Sequence, residues 1–538
     1  MRIPASFCTI CTGQLKHELF GFLLSLSLHH RNAHVVVYCD SETREYIKMS
    51  TPVIQLSIDW TVNLDYWTNM NRTQMEKEGI FDKFLKSKTY VLEEAINRYG
   101  DSMFIDSDTI ILDTLFVEEP DKVLGVSPQY ITQQHVDRTG YYNAGLLWTS
   151  APDLPARWRE LFAESRYFEQ AVIENLAKEF PSFDYDDNYN LQTWRFLYGI
   201  DSEKVIVSKI IPKNKQLMYG DKPLKFIHTH LRSQQFNNLN KFFMQQMIRA
   251  SLYKELAIVA RVINDKWVIK IPKQPLYPPY DHTDDSFREL APLWMQHHND
   301  VVVIKGQERH CWLCGSIMLY DRDTTKWIDK EVASALHALV GNCDLSVDEI
   351  AFQKIGISVQ PWIYWPRHPI IIENKMHTIP DYNERKHFTM FLGNIENAVQ
   401  GAYRENLGWD KVVDDYICTK GIHHKYTQEE YLDHIRNAKF GLCLRGFGSK
   451  CHREVELMAM GTVPIITPNV CIDSYANPPI EGIHFIRVNQ PSELNKVINA
   501  VNEEKWREMS DACIKWYMQN VHSNNSWKTT INAILYNN

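Results

Sequence analysis

The chain has 538 residues, enough for two or more domains, because single hydrophobic cores stop growing well below that size. Its 44% hydrophobic and 23% charged residues are ordinary for a soluble globular protein. The net charge of −8, with no basic block, argues against nucleic acid as the main partner. No run of about 18 apolar residues occurs, so no membrane span is expected and no Golgi-type anchor.

Ser6 to Thr12 reads as a strand and Glu18 to His29 as a helix. The apolar run Leu19 to Leu28 has the length of a signal-peptide core, but Lys16-His17-Glu18 precede it and His29-His30-Arg31 follow. No small-x-small cleavage site is evident, so the run is read as the first helix of the fold. Ala33 to Cys39 reads as a strand closed by Asp40. Leu92, Ala95, Ile96 and Tyr99 recur at helical spacing before the strand Met103 to Ile105. This alternation predicts an α/β fold with a mainly parallel sheet, whose ligand crevice lies at the strand carboxyl ends. Thr12, Asp40 and Asp106 fall at such ends.

Asp106-Ser107-Asp108 closes one of these strands, and an apolar run resumes at once. Two acids at i and i+2 on a strand end can both reach one hard cation, because the turn breaks strict alternation. That arrangement can hold a nucleotide-sugar and neutralise a departing UDP. Asp184/Asp186 and Asp321/Asp323 share the spacing but not the apolar flanks.

The stretch Ile271 to Asp285 has four prolines and no periodicity, which places a linker at 266–285. The domains expected are therefore 1–265 and 286–538. A second proline-rich region, Gln360 to Pro380, divides the latter into an acceptor lobe (286–380) and a donor-binding lobe (381–538). The acceptor lobe offers Asp321 and Asp323 as possible bases, with a solvated turn the simpler reading. Cys311-Trp-Leu-Cys314 beside His310 lacks a second ligand pair for zinc, and packing is the expected role. The eleven cysteines are odd in number and scattered, which fits reduced thiols in a cytosol better than a disulfide framework, so a cytoplasmic location is expected. Fifteen Trp and 26 Tyr suit carbohydrate stacking and large cores equally. From Lys386 a new alternation begins: strand His387 to Leu392, helix Gln428 to Asn437, strand Phe440 to Leu444, glycine turn, helix Cys451 to Met460, strand Val463 to Ile466.

Five blocks of the first half run in order: Phe7-Cys-Thr-Ile-Cys-Thr12, Phe104-Ile-Asp-Ser-Asp-Thr109, Tyr142-Asn-Ala-Gly-Leu-Leu147, Glu169-Gln170 with Tyr189-Asn190-Leu-Gln192, and Phe226-Ile-His228-Thr-His230. The series resembles the glycogenin-like family of metal-dependent glycosyltransferases with the GT-A fold, a Rossmann-like mixed sheet, over roughly residues 5 to 250. The resemblance implies that Asp106, Asp108 and His228 bind Mn²⁺ (or Mg²⁺), with His230 as the alternative ligand. It implies that Ile10 and Thr12 contact the nucleoside, that Asn143 and Gly145 lie beside the sugar with Asn190 also in the donor site, and that Gln170 lies near the anomeric centre. Glu169 stands where the family has Asp, and Glu169 and Gln170 are the catalytic candidates. After the metal His the family has a Gly and then Lys-Pro-Trp, whereas this chain reads Leu231-Arg232-Ser-Gln-Gln. Arg232 could grip the diphosphate in the lysine's place, and Lys88 could add charge at the leaving group. The family retains anomeric configuration.

In the second half, the strand–glycine turn–helix–strand from Ala438 to Ile466 places backbone N–H groups and a helix N-terminus where a diphosphate can sit. Arg445, Lys450 and Arg453 surround that point, and Glu456 could accept from ribose hydroxyls. The block resembles the carboxyl-terminal half of exostosin-like GT-B glycosyltransferases over about residues 386 to 495, with Phe391-Leu-Gly393-Asn and Arg404 similar to a phosphate-facing loop. No metal is expected there. The reading is thus a bifunctional glycosyltransferase, with a GT-A module followed by a GT-B-like module. It would use a UDP-sugar at the first site, a UDP- or GDP-sugar at the second, and an oligosaccharide or glycoprotein acceptor. Two alternatives stand beside it. One keeps a single active GT-A module with a glycan-binding or scaffolding partner module. The other is a sugar nucleotidyltransferase, whose glycine-rich signature Thr9-Ile-Cys-Thr-Gly13-Gln lacks.

Overall fold

The computed structural model describes residues 1–50, 53–228, 230–272, 282–306, 312–313, 317–320, 337–340, 366–421, 425–446, 448–449, 451–473 and 475–536. The chain divides into two compact units, Met1–Trp267 and Val268–Asn538. The protein is mixed α/β, with a parallel-rich sheet in each unit.

In the first unit the strands β1 (Ser6–Cys11), β2 (His34–Cys39), β3 (Ser57–Val62), β4 (Ser102–Ile105), β6 (Leu124–Pro128), β7 (Tyr142–Thr149) and β8 (Ser182–Asp184) form a seven-stranded sheet in the order β3-β2-β1-β4-β7-β6-β8. β5 (Thr109–Ile111) leaves this sheet and joins β9 (Leu191–Gln192) and β13 (Phe226–His228) in a smaller one. β10 (Ile210–Lys213), β11 (Gln216–Tyr219) and β12 (Lys222–Pro223) make an antiparallel set. β1, β2, β3 and β4 pair in parallel, whereas β7 runs antiparallel to both β4 and β6. β1 is buried along its whole length and β2 from Val35 onward, as strands with both faces covered must be.

The helix Lys16–His29 is buried from Glu18 to Ser27, which explains an apolar run with no amphipathic face. Its serines are satisfied internally: Ser25 and Ser27 donate to the carbonyls of Phe22 (3.0 Å) and Leu24 (2.8 Å). Ser25 Oγ also accepts from the N–H of Ile111 at 3.0 Å, which ties β5 to this helix.

At the opposite end of β4, Asp101 gathers three elements. Its Oδ1 accepts from the N–H of Ala5 (3.0 Å) and from Trp148 Nε1 (3.1 Å), and its Oδ2 pairs with Arg2 at 2.6 Å. These bonds fix how β1, β4 and β7 lie together, and hence where the carboxyl end of β4 points.

In the second unit β14 (Trp267–Pro272), β15 (Val301–Gly306), β16 (Trp312–Leu313), β17 (Ile317–Tyr320) and β18 (His337–Val340) form one sheet in the order β15-β14-β16-β17-β18. The stretch expected as a linker, 266–285, therefore contains β14, and its residues 273–281 lie outside the described residues. So do Cys311, Cys314, Asp321 and Asp323. The second sheet, β20-β19-β21-β22-β23, is wholly parallel, with β19 (His387–Ile395), β20 (Asp415–Lys420), β21 (Ala438–Cys443), β22 (Val463–Ile466) and β23 (Ile486–Arg487). Apolar cores cover both faces: Met390 and Leu392 enter one and Phe391 the other. Buried Arg385 donates to the carbonyls of Arg436, Ala438 and Met460 and to Thr462 Oγ1, at 2.8–3.1 Å, and so closes the base of this sheet. No described helix is long and apolar enough to cross a membrane.

Asp101→Ala leaves the buried Trp148 indole N–H and the Ala5 N–H without their acceptor, so it should lower the unfolding free energy by about 2–4 kcal/mol. Denaturant titration at unchanged m-value reads this directly. A loss below about 0.5 kcal/mol would show that the three strands are held by other contacts.

Candidate active site

The carboxyl end of β4 delivers Asp106 and Asp108. β5 then turns away and pairs antiparallel with β13, with Thr109 opposite His228. This register brings the imidazole of His228 over the two carboxylates. Its Nε2 lies 3.0 Å from Asp108 Oδ1 and 4.0 Å from Asp106 Oδ2, and one donor atom from each of the three residues falls within 4.8 Å of the others. Asp106 is held by its N–H to the carbonyl of Gly145 at 3.1 Å. Asp184 and Asp186, with the same spacing, go elsewhere: Asp184 accepts from Tyr142 at 3.0 Å and Asp186 pairs with Lys222.

The direction of the His228 ring is set by a chain of amides. The backbone N–H of Gly145 donates to Asn143 Oδ1 (2.9 Å), which makes that atom the oxygen. Asn143 Nδ2 then donates to Gln170 Oε1 (3.2 Å), and Gln170 Nε2 to the carbonyl of Thr139 (2.9 Å). Asn190 Nδ2 donates to the same Asn143 Oδ1 (2.9 Å) and to Ser127 Oγ (3.1 Å). Its Oδ1 is left as acceptor for His228 Nδ1 at 3.1 Å. Backbone groups at both ends fix every amide. Nδ1 of His228 must therefore carry the proton, and the lone pair of a neutral ring sits on Nε2, facing the carboxylates. Lone pair against carboxylate is repulsive, and a cation between them removes the repulsion. Asn190 does this at φ +48°, a left-handed conformation that Asn tolerates better than most residues.

Gly145 completes the fit. A Cβ there would lie 2.6 Å from His228 Cε1, 2.7 Å from Asn143 Oδ1 and 2.9 Å from Asp106 Oδ2. Two carboxylates and an imidazole are also the donor types that Mn²⁺ accepts. The residues present fit a divalent cation.

Around this core sit further charges. Buried Lys88 pairs with Asp106 Oδ1 and with Glu169 Oε1, both at 2.9 Å, and rests over the ring of Phe104. Burial works against its charge, but the two carboxylates hold the ammonium above its ordinary range. Glu169 is placed by its carbonyl, which accepts from Trp158 Nε1 at 2.9 Å. Asp108 Oδ2 meets His230 Nδ1 at 2.6 Å. Burial raises the Asp108 carboxyl, yet His228 and His230 hold it well below the carboxylate range. Burial would lower the pKa of His230, but Asp108 lifts it to about 9. Glu18, which sequence reasoning missed, joins Asp108 and His230 as a second close donor group. Burial, with Asp108 nearby, pushes its carboxyl up to about 7.

Other expected contacts are arranged differently. Ile10 is buried in the apolar core at the end of β1, and Thr12 is buried just beyond it. The guanidinium of Arg232 pairs with Asp265, with Nη2 2.7 Å from Oδ2. Its backbone N–H donates to Glu18 Oε1 at 3.3 Å.

In the second unit the arginines expected at a diphosphate turn inward. Arg453 donates to the carbonyl of Leu392 from Nε (3.2 Å) and Nη2 (3.0 Å), and to that of Leu444 from Nη1 (3.2 Å). Arg404 donates to the carbonyls of Arg445 (3.1 Å) and Asn394. Both guanidinium groups lie over Phe391. Both thus meet backbone carbonyls at the ends of β19 and β21. The guanidinium of Arg445 rests over Tyr403, and Lys450 lies outside the described residues. Glu456 is buried and accepts from Gln428 Nε2 at 3.0 Å, not at a solvent-open ribose position. At the helix N-terminus Glu454 Oε2 accepts the N-cap N–H of Cys451 at 2.8 Å, closing a capping box. Burial pushes the Glu454 carboxyl up to about 7.

No known family description matches this chain, and no curated protein matches it in sequence. Among solved structures, the galactosyltransferase LgtC with donor and acceptor sugar analogs is similar over 44% of this chain and 94% of its own, at 13% identity and TM-score 0.32. Mouse xyloside xylosyltransferase 1 is similar over 42% and 97%, at 12% identity and TM-score 0.28. The glycosyltransferase GlyE of Streptococcus pneumoniae TIGR4 is similar over 93% and 99%, at 9% identity and TM-score 0.31. All three are glycosyltransferases. Likeness this slight carries no weight for function, which rests on the site.

Two outcomes follow from this geometry. Asn190→Ala removes the acceptor that turns His228, so Mn²⁺ affinity at the three-donor group should fall roughly 10–100-fold in a folded chain, and Asn190→Asp should restore part of it. Calorimetric Mn²⁺ titration checks this, and unchanged affinity in the Ala variant would contradict it. The second concerns Glu454. An unfolded Glu titrates near 4.3, roughly, whereas the folded carboxyl keeps its proton up to about 7. Between those values the native state binds more protons than the unfolded state, so stability should fall as pH rises through this window. Glu454→Gln keeps the capping acceptor and should flatten that part of the Tm–pH curve. An identical slope in the variant would contradict the assignment.

Proposed function

We propose that the chain is a metal-dependent glycosyltransferase whose amino-terminal unit holds the nucleotide-sugar donor in a GT-A-like arrangement. One observation carries this reading: Asp106, Asp108 and Nε2 of His228 converge on one point at the carboxyl end of a parallel-rich sheet. That is where an α/β fold binds its ligand, and it is the donor set expected from the sequence.

Asp106, Asp108 and His228 would hold Mn²⁺ or Mg²⁺, which supplies Lewis-acid charge to the donor diphosphate. Lys88, locked between Asp106 and Glu169, fixes the first metal carboxylate and places a buried positive charge beside it. The amide chain from Gln170 through Asn143 to Asn190 links the expected sugar position to the metal ligand. The resemblance of the amino-terminal blocks implies a UDP-sugar donor, a glycan acceptor and retention of configuration.

For the carboxyl-terminal unit a specific observation favours the single-site alternative over a second transfer. Arg404 and Arg453 are bonded to backbone carbonyls, and the Glu454 side chain takes the Cys451 N–H beside the helix N-terminus where a second diphosphate was expected. We assign this unit a glycan-binding or scaffolding role.

A screen of sugar nucleotides for donor hydrolysis tests both parts. With Mn²⁺ the chain should hydrolyse at least one of them. Asp108→Asn should cut that rate by about 100-fold or more with folding intact, and EDTA should abolish it. Hydrolysis that survives EDTA and is lost in Arg453→Ala would restore a second site in the carboxyl-terminal unit.

A further inference from the structure

Asp108 uses its two carboxylate oxygens on opposite sides. Oδ1 faces His228 Nε2 at 3.0 Å, and Oδ2 faces His230 Nδ1 at 2.6 Å. On the His230 side stands Glu18, 3% exposed. Its Oε1 accepts the N–H of Arg232 at 3.3 Å, while its Oε2 is buried with no hydrogen-bond partner. One donor atom each from Glu18, Asp108 and His230 lies within 4.8 Å of the other two. A buried carboxylate oxygen left unpaired beside a second carboxylate is costly unless a proton or a cation satisfies it.

The wider charge balance points the same way. Glu18, Asp106, Asp108 and Glu169 bring four carboxylates to the site, and Lys88 brings one ammonium to Asp106 and Glu169. Arg232, expected to grip the diphosphate, is paired with Asp265 instead. Lys88 and the His230 imidazolium beside Asp108 offset two of these charges and one divalent cation the other two, so an arriving diphosphate adds negative charge that one ion does not meet.

We propose that the amino-terminal unit binds a second divalent cation between Glu18, Asp108 and His230, with the Asp108 carboxylate bridging it to the ion at Asp106, Asp108 and His228. The inference rests on the proposed donor site and adds an ion to it. Oxygen and imidazole donors suit Mn²⁺ or Mg²⁺, and bridged pairs of this kind lie about 3.5–4 Å apart, close enough to grip one diphosphate from two sides. His230 is 37% exposed at its side chain, so the second position stays open toward solvent and ligand. The second ion supplies the positive charge that Arg232 does not.

Mn²⁺ alone is the probe, added to the full chain and counted by equilibrium dialysis, with electron paramagnetic resonance as the readout of coupling between ions. Wild type should bind two ions per chain with the signature of an exchange-coupled pair. Glu18→Gln should bind one, uncoupled. His230→Gln, at a more exposed position, should do the same and guards against a Glu18 variant that fails to fold. One ion in wild type, or two coupled ions in both variants, overturns the second site and leaves the donor reading standing. No Mn²⁺ bound by wild type overturns both.

Discussion

The register between β5 and β13 is the constraint on which the site depends. Thr109 opposite His228 sets an imidazole from the far end of the first unit against Asp108, which lies at a strand end. A slip of one residue would turn His228 to the other face of its strand. Much of the surroundings serves to hold this register. Ser25 on the buried first helix accepts the Ile111 N–H, the Leu112 N–H bonds to the Lys225 carbonyl, and β9 flanks β13 on its other side.

Around that pairing, electrostatics and hydrogen-bond direction divide the work. The amide chain fixes which nitrogen of His228 donates to Asn190 and which faces the carboxylates, starting from a backbone N–H whose polarity is not negotiable. Lys88 restrains Asp106 from one side, while Asp108 is shared between two imidazoles. Gly145 is required because a Cβ there would run into His228, Asn143 and Asp106. Each of these features is a way of keeping acids close together in a buried place, where they repel unless cations intervene.

Part of this was legible in the sequence. The acid pair stood out because apolar strands flank it on both sides, and the strand–helix alternation located the sheet ends. His228, Asn143 and Gln170 entered through resemblance, and the structure brings them into one network with Asn190. Glu18 was not legible: one acid in a helix buried almost all round has no partner spacing to betray it. The carbonyl partners of the second-unit arginines were not legible for a related reason. Sequence shows that Arg404 and Arg453 bear charge near a glycine turn, but not that their donors face strand-end carbonyls. Arg385 was passed over on the same ground. The antiparallel course of β7 was hidden too, since an apolar run such as Tyr142–Thr149 carries no sign of direction.

The central claim is that donor and cation share one site, in the first unit. It is tested most directly by titrating UDP calorimetrically into the full chain with Mn²⁺ and again with EDTA. The account predicts a single UDP site that requires Mn²⁺ and disappears in Asp108→Asn. Equal UDP affinity with and without the metal would contradict it.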